Sequence, residues 1–144
     1  MPHPNQIQVL DAHGHERRNT QPTALTAGAV GTSAQGTVAP TVAAGAAPTV
    51  TFAAGQEALD MFGSFTLNPV TGGGAQAAGA VVGVYFRNPL PRAPRAIVAT
   101  IIDDAMGAAV AISATTITAS SFQLSVGVAL TTAHTYTINY RVFY

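Results

Sequence analysis

The densest group of possible metal ligands lies near the N-terminus. Asp11, His13 and His15 alternate with other residues, and Glu16 follows directly. Alternate residues of an extended strand point to the same side, and neutral imidazole and carboxylate groups suit Zn²⁺ or Ni²⁺. His13 and His15 are therefore weak candidates for a metal site, and a threefold axis could also gather one histidine from each subunit. The alternative, which the sequence favours, is a solvated polar arm without metal.

Other residue types that could do chemistry are too isolated to form a catalytic group. His134 is the only histidine of the C-terminal part, and no Ser-His-Asp spacing accompanies it. Asp103 and Asp104 are adjacent, so on a strand they would face opposite sides and could not act as a paired acid. Gly72–Gly74 lacks the Lys-Ser/Thr that follows a phosphate-binding loop. We expect no catalytic residue, no cofactor and no enzymatic activity.

The composition excludes several classes of protein. Charged residues make up 8% of the chain and the formal net charge is zero, which leaves no basic surface for nucleic-acid phosphates. Cysteine is absent, so there is no disulfide framework and no thiolate zinc site. No apolar run approaches the roughly 18 residues of a membrane span. We therefore expect neither a nucleic-acid nor a membrane partner, and the N-terminus shows no signal-peptide pattern.

Three segments differ in composition, and they predict the organisation of the chain. Residues 1–35 are the most polar and are expected to form an extended N-terminal arm. Residues 36–56 consist mostly of Gly, Ala, Thr and Pro, which is typical of a linker. Residues 57–144 are expected to form the folded domain.

The arm holds the residues that could attach the chain to a larger structure. Ile7, Val9 and Leu10 are its sizeable hydrophobic residues, and Arg17 and Arg18 are its cations. Ile7 and Val9 alternate with a polar residue, so this segment could add a strand to a foreign sheet edge, while the arginines could dock on an acidic surface. The alternative is a disordered tail.

From residue 57 onward, hydrophobic side chains recur with the two-residue period of half-buried strands. This pattern predicts six or seven short strands and an all-β fold, an antiparallel β-sandwich of jelly-roll-like type. The last strand places Tyr136, Tyr140 and Tyr144 on one face with Ile138 and Val142. We expect these tyrosines in the core, although a sugar-binding role is an alternative. The strands are expected near residues 64–67, 80–86, 95–102, 109–112, 121–128 and 136–144.

A domain of this size has a small core and would gain from burying more surface between subunits. The strand at residues 95–102 is apolar on both faces, which indicates a central strand or a subunit contact. We therefore expect a homo-oligomer, with a trimer as the usual solution for fibre-like chains. The candidate inter-subunit residues are Val98, Ile102, Arg87, Arg92, Arg95 and Phe143.

A series of short motifs in a fixed order resembles the knob domains at the ends of phage fibre and virion-decoration proteins. The motifs, which together cover residues 36–144, are the Pro-Thr-Val segment at 39–55, the strand and glycine loop at 65–74, Val-Tyr-Phe at 84–86, Pro-Arg-Ala-Ile-Val at 94–98, Thr-Thr-Ile-Thr at 115–118, Ser-Phe-Gln-Leu at 121–124 and Ala-His-Thr-Tyr-Thr-Ile-Asn-Tyr at 133–140. The resemblance implies a trimeric β-structured virion protein without catalytic activity.

The short arm distinguishes the chain from long tail fibres, because there is no shaft repeat to carry the knob away from the particle. We therefore expect a capsid decoration protein or short head fibre on the virion exterior. Its arm would dock on the major capsid protein through Ile7, Val9, Leu10, Arg17 and Arg18. The alternative is a tail-fibre tip, a lectin-like receptor-binding module whose partner would be a host surface glycan.

Overall fold

The computed structural model describes residues 7–10, 16–19, 23–41, 48–68, 78–131 and 133–144, and every regular element among them is a β-strand. The expected all-β class is confirmed. The strands are β1 (Ile7–Leu10), β2 (Glu16–Asn19), β3 (Thr26–Ala27), β4 (Thr37–Pro40), β5 (Thr49–Thr51), β6 (Phe62–Asn68), β7 (Gly79–Tyr85), β8 (Ala96–Asp103), β9 (Ala108–Val110), β10 (Ile112–Thr115), β11 (Ser121–Val126) and β12 (Tyr136–Phe143).

Ten of the described strands form two five-stranded sheets. The front sheet has the order β5-β6-β12-β8-β9, and the rear sheet has the order β10-β11-β7-β4-β3. All neighbouring strands are antiparallel except β3 and β4, which are parallel. The chain passes repeatedly from one sheet to the other, so half of the eight strand pairs described in these two sheets join strands that are distant in sequence. This arrangement is consistent with the expected β-sandwich.

The core lies between the sheets and is built on alternate residues. In β11 of the rear sheet, Phe122 and Leu124 are fully buried, and in β12 of the front sheet, Ile138 and Tyr140 are buried. The rings of Phe122 and Tyr140 meet edge to face across the two sheets, with centroids 5.4 Å apart. The Tyr140 hydroxyl donates a hydrogen bond to the carbonyl of Leu59. This interior hydrogen bond satisfies the polar end of a ring that otherwise serves the core.

Strand β7 departs from simple alternation because it contains a β-bulge. Val82 lies opposite Leu124, whereas the next residue of β11, Ser125, lies opposite Ala80. Val81 is therefore the extra residue, and both it and Val82 are buried. A bulge turns consecutive side chains toward the same face, which explains why Val81 joins the core although the alternation of the sequence assigns it to the other face.

The small-residue segment 36–56 takes part in both sheets. Strand β4 lies between β3 and β7 in the rear sheet, and β5 pairs with β6 in the front sheet. Val38 and Val50 from these strands are buried, and so is Leu25, which belongs to the expected arm. The described residues from 23 onward are thus integrated in the sandwich. The sequence predicted boundaries at residues 35 and 56, and strand pairing draws described residues of the predicted arm and of the predicted linker into the sheets.

The N-terminal strands form a sheet of their own. Strands β1 and β2 pair antiparallel, with Ile7 opposite Asn19 and Leu10 opposite Glu16. The segment that was expected to be a single extended strand is therefore one half of a two-stranded hairpin.

Candidate interaction surface

Three side chains from neighbouring strands form a ridge across the outer face of the front sheet. The register places Arg141 of β12 between Phe62 of β6 and Val98 of β8. Phe62 and Val98 are each 56% exposed, because the strand alternation points their neighbours into the core. The Arg141 guanidinium lies over the ring of Phe143, 5.6 Å from its centroid. We call Phe62, Arg141 and Val98 the ridge.

A row of smaller or polar residues lies beside the ridge and forms a groove. Ser64 donates its N–H to the carbonyl of Glu57 at 2.8 Å, and the strand register continues from Ser64 through Asn139 to Thr100. The cleft has about 440 Å³ on the β6 side and about 180 Å³ on the β8 side. We call Glu57, Ser64, Asn139 and Thr100 the groove.

Two further apolar side chains lie on the same face, Phe143 in the row next to the ridge and Ile102 in the row next to the groove. Ile102 is 40% exposed and pairs with Thr137, and Phe143 is 45% exposed and pairs with Ala96. Three of the candidate inter-subunit residues, Val98, Ile102 and Phe143, therefore share one exposed sheet face. Their contact with another subunit stays a prediction.

The outer face of the rear sheet has a different character. Ser113, Thr115, Gln123 and Ser125 are partly or fully exposed there, and the hydroxyls of Thr115 and Ser125 are 2.9 Å apart. Hydroxyl and amide groups of this kind are well solvated by water. The two outer faces of the sandwich thus differ in polarity.

Arg87 is held within its own chain. Its guanidinium donates to the carbonyl of Ala24 at 3.0 Å and packs against Gly36, which adopts a φ of 79°. Its backbone N–H donates to Oδ1 of Asp60 at 2.7 Å. The fold supplies carbonyl partners for the Arg87 guanidinium from the segment before β4, and the contact of Arg87 with another subunit stays a prediction.

The other two arginines of this region lie near the C-terminus of the chain. The Arg92 guanidinium stacks on the ring of Tyr144, 5.1 Å from its centroid. Arg95 is exposed, and its backbone N–H donates to the carbonyl of Phe143 at 2.8 Å. Tyr144 is itself 44% exposed, so it is not the core residue that the pattern of the last strand suggested; β12 ends one residue before it.

The two adjacent aspartates have separate structural roles. Asp103 is buried and closes the turn after β8 by accepting the backbone N–H of Ala105 and of Met106. Its other oxygen, Oδ2, lies 2.7 Å from Nδ1 of His134. An ionised carboxylate can only accept hydrogen bonds, so Nδ1 carries the proton in this pair. Asp104, which is exposed, instead accepts hydrogen bonds from the hydroxyls of Thr135, just before β12, and of Thr137 in β12.

The Asp103 pair predicts a loss of stability in acid. Burial by itself would raise the pKa of Asp103, but the hydrogen bonds from His134, Ala105 and Met106 outweigh it and hold the pKa below the usual 3.8. A lowered carboxyl pKa stabilises the folded state above the unfolded-state pKa, and this contribution is lost as the pH falls through the folded-state pKa. As the pH is lowered from 5 to 2, we expect the urea concentration at the unfolding midpoint to decrease, and to decrease less in Asp103→Asn than in the wild type. Equal acid sensitivity in both proteins would contradict this assignment.

The candidate residues of the arm can be placed only in part. Ile7, Val9 and Leu10 belong to β1, and Arg17 and Arg18 belong to β2. His13 and His15 lie outside the described residues. Within the part of the chain that is described, no three His, Cys, Asp or Glu side chains come together as a metal site requires. That part also contains no helix long and apolar enough to cross a membrane.

Sequence reasoning missed several residues of the exposed front face. Phe62 lies outside the strand that the sequence predicts near residues 64–67, whereas it begins β6. The alternation of β6, with Phe65 and Leu67 inward, extends back to Phe62 on the opposite face. This continued alternation is the sequence feature that could have placed Phe62 on the outer face of the sheet. Glu57 and Asn139 gave no signal, because their place in the groove depends on strand pairing.

The comparisons with known proteins add no identification. No family model, no curated protein and no solved structure matches the chain.

Proposed function

We propose that this protein is a phage structural protein that decorates the capsid exterior as a homotrimer. In this proposal the N-terminal arm docks on the major capsid protein and the β-sandwich sits outside the shell. The motif order of residues 36–144, which resembles virion-decoration knobs, supports the phage context. The role is purely one of binding, and no residue acts as a catalyst.

The separate β1–β2 hairpin is the observation that carries this proposal. Each of its strands has four residues, and an isolated two-stranded hairpin is marginally stable at best in water. Pairing with an edge of another protein's sheet would supply a third strand and stabilise it. A marginally stable hairpin that precedes the sandwich in the chain is suited to attachment.

Attachment through three arms explains how a short hairpin can hold the protein on a particle. Ordering each arm costs on the order of 1–2 kcal/mol per fixed backbone residue, so a single arm of this length binds weakly. Once one arm of a trimer is docked, the other two bind at a high effective concentration. Trimerisation therefore raises the avidity without adding a new type of contact.

A second candidate function is recognition of a host glycan by a tail-fibre tip. A cleft of about 120 Å³ is lined by Tyr85 and by the polar side chains of Ser33, Gln35 and Ser120. An aromatic ring beside hydroxyl and amide groups is chemistry that suits a sugar, since the ring stacks and the polar groups hydrogen-bond. Binding of the purified sandwich to host cells or to a glycan array would favour this function over capsid decoration.

Deletion of the arm tests the proposed function. The deletion should end at residue 22, because Leu25 and β3 belong to the sandwich. We expect the shortened protein to keep its β-sheet circular dichroism and its oligomeric mass while losing sedimentation with capsid shells. The avidity argument predicts a loss of at least about 100-fold in affinity.

The full-length protein, mixed with the same shells, is the control. Shells labelled equally well by the shortened protein would overturn the arm as the anchor. Shells labelled by neither protein would overturn the assignment to the capsid.

A further inference from the structure

We infer that the outer face of the front sheet is where copies of this chain pack against one another. The ridge of one copy lies in the groove of the next. This inference deepens the proposed homotrimer and rests on the proposed function for its stoichiometry, but the face itself is argued from the described residues alone.

The polarity of the face is the first argument. Phe62, Val98, Ile102 and Phe143 come from three adjacent strands and remain 40–56% exposed. Large apolar side chains that are exposed on one sheet face cost free energy in water, and groups of them mark interaction sites. The opposite face of the sandwich, with its serine and threonine hydroxyls, carries no comparable set among the described residues.

The shape of the face indicates that the partner is a copy of the chain. Ridge and groove run across the same three strands, one row apart. A second copy laid against this face can therefore place its ridge in the groove and receive the ridge in its own groove. A partner of different shape would fill either the ridge side or the groove side, whereas a second copy fills both.

The charges of the face lead to the same partner. The ridge contains one cation, Arg141, and the groove contains one anion, Glu57. Arg141 is on the central strand β12 and Glu57 lies beyond β6, and a ridge that lies in the groove brings these two long side chains within reach of each other. A partner of uniform charge would leave one of the two without a counter-charge.

The area of the face sets the expected strength of the contact. Its strands β5, β6, β12, β8 and β9 have 3, 7, 8, 8 and 3 residues, and a spacing of ~4.8 Å with ~3.4 Å per residue gives a footprint of roughly 470 Å². Stable interfaces bury about 800 Å² on each partner, so we expect an association that depends on protein concentration.

The experiment measures the mass of the full-length protein in solution by light scattering over a range of concentrations. Val98→Asp puts an unpaired carboxylate into the contact, and Ser113→Asp puts the same group on the outer face of the rear sheet. We expect wild type and Ser113→Asp to be oligomeric. Val98→Asp should associate at least about 30-fold more weakly, as a buried unpaired charge at an interface implies.

Exchanging the two charges of the face provides a second test. Unlike Val98→Asp, it does not replace an apolar side chain by a charged one. Glu57→Arg and Arg141→Glu should each weaken association, and the double variant should restore it. Circular dichroism of every variant checks that the sandwich is folded. If Val98→Asp were unfolded, the charge exchange alone would decide the proposal.

The outcomes separate this inference from the proposed function. A monomeric wild type, or a Val98→Asp protein as oligomeric as Ser113→Asp, would overturn the front face as the contact. A wild-type dimer that Val98→Asp dissociates would support the face and overturn the trimer. An oligomer that responds as expected but does not bind shells would support the face and overturn capsid decoration.

Discussion

Replacing Phe122 by alanine should lower the free energy of unfolding by about 3–5 kcal/mol. Phe122 is fully buried, and its ring lies 5.8 Å from that of Phe86 and 5.4 Å from that of Tyr140. Phe122 comes from the rear sheet and Tyr140 from the front sheet, so the truncation removes a contact that joins the two layers. The rigid strands on either side cannot collapse into the space, and the lost transfer free energy is therefore accompanied by a cavity cost.

Urea unfolding followed by circular dichroism measures this effect. Because self-association would make the midpoint depend on concentration, the comparison is made at one concentration in the Val98→Asp background, after its mass has been checked. Phe122→Leu is the matched control, since it keeps an apolar side chain in the same place and should cost clearly less. A Phe122→Ala loss below about 1 kcal/mol would mean that the aromatic contact does not join the sheets.

Local alternation was sufficient to predict most of the sandwich core. Phe122, Leu124 and Val126 alternate with polar residues, and the structure buries them. The same pattern identifies the inward face of β12 as far as Val142. Alternation succeeds here because each of these strands has one buried and one exposed face. Apolar and polar residues therefore alternate within the strand itself, and its sequence alone shows which side chains face the core.

The segment 36–56 could not be assigned correctly by composition. Its side chains are small, so they give a weak hydrophobic pattern, yet Val38 of β4 pairs with Val84 of β7. That partner lies more than forty residues later in the chain. This segment forms a strand because it pairs with a strand that is distant in the sequence. Its own composition does not reveal that pairing.

The interaction surface could be predicted only for residues whose own strand reveals them. Val98 and Ile102 stand out because β8 is apolar on both faces, and both lie on the exposed front face. Nothing in the sequence distinguishes Arg87 from an ordinary surface arginine. Its role depends on the carbonyl of Ala24, whose position follows from the packing of the segment before β4 on the sandwich. No property of residues 84–92 indicates that partner.

Replacing Gly63 by alanine should lower the free energy of unfolding by about 1–3 kcal/mol. A Cβ atom at Gly63 would stand 2.6 Å from Cε1 of Tyr140 and 2.8 Å from Cα of Ala58. The Tyr140 ring is fixed on its other sides by Phe122 and by the hydrogen bond from its hydroxyl to Leu59. Burial, together with the nearby charge of Asp60, raises the pKa of Tyr140, so its hydroxyl remains a donor and the ring stays anchored.

Gly127→Ala is the control for this substitution, because a Cβ atom there meets nothing within 4 Å. It should leave the stability unchanged or raise it by less than about 1 kcal/mol, since alanine reduces the entropy of the unfolded chain. Comparison of the two urea midpoints separates the close approach at Gly63 from the general effect of adding a methyl group. Equal midpoints would show that Tyr140 can move away, and that the segment from Glu57 to Asp60 is not held rigidly against β6. The groove would then have no fixed wall on that side, because Glu57 is held beside Ser64 by the same pairing that brings Ala58 against Gly63.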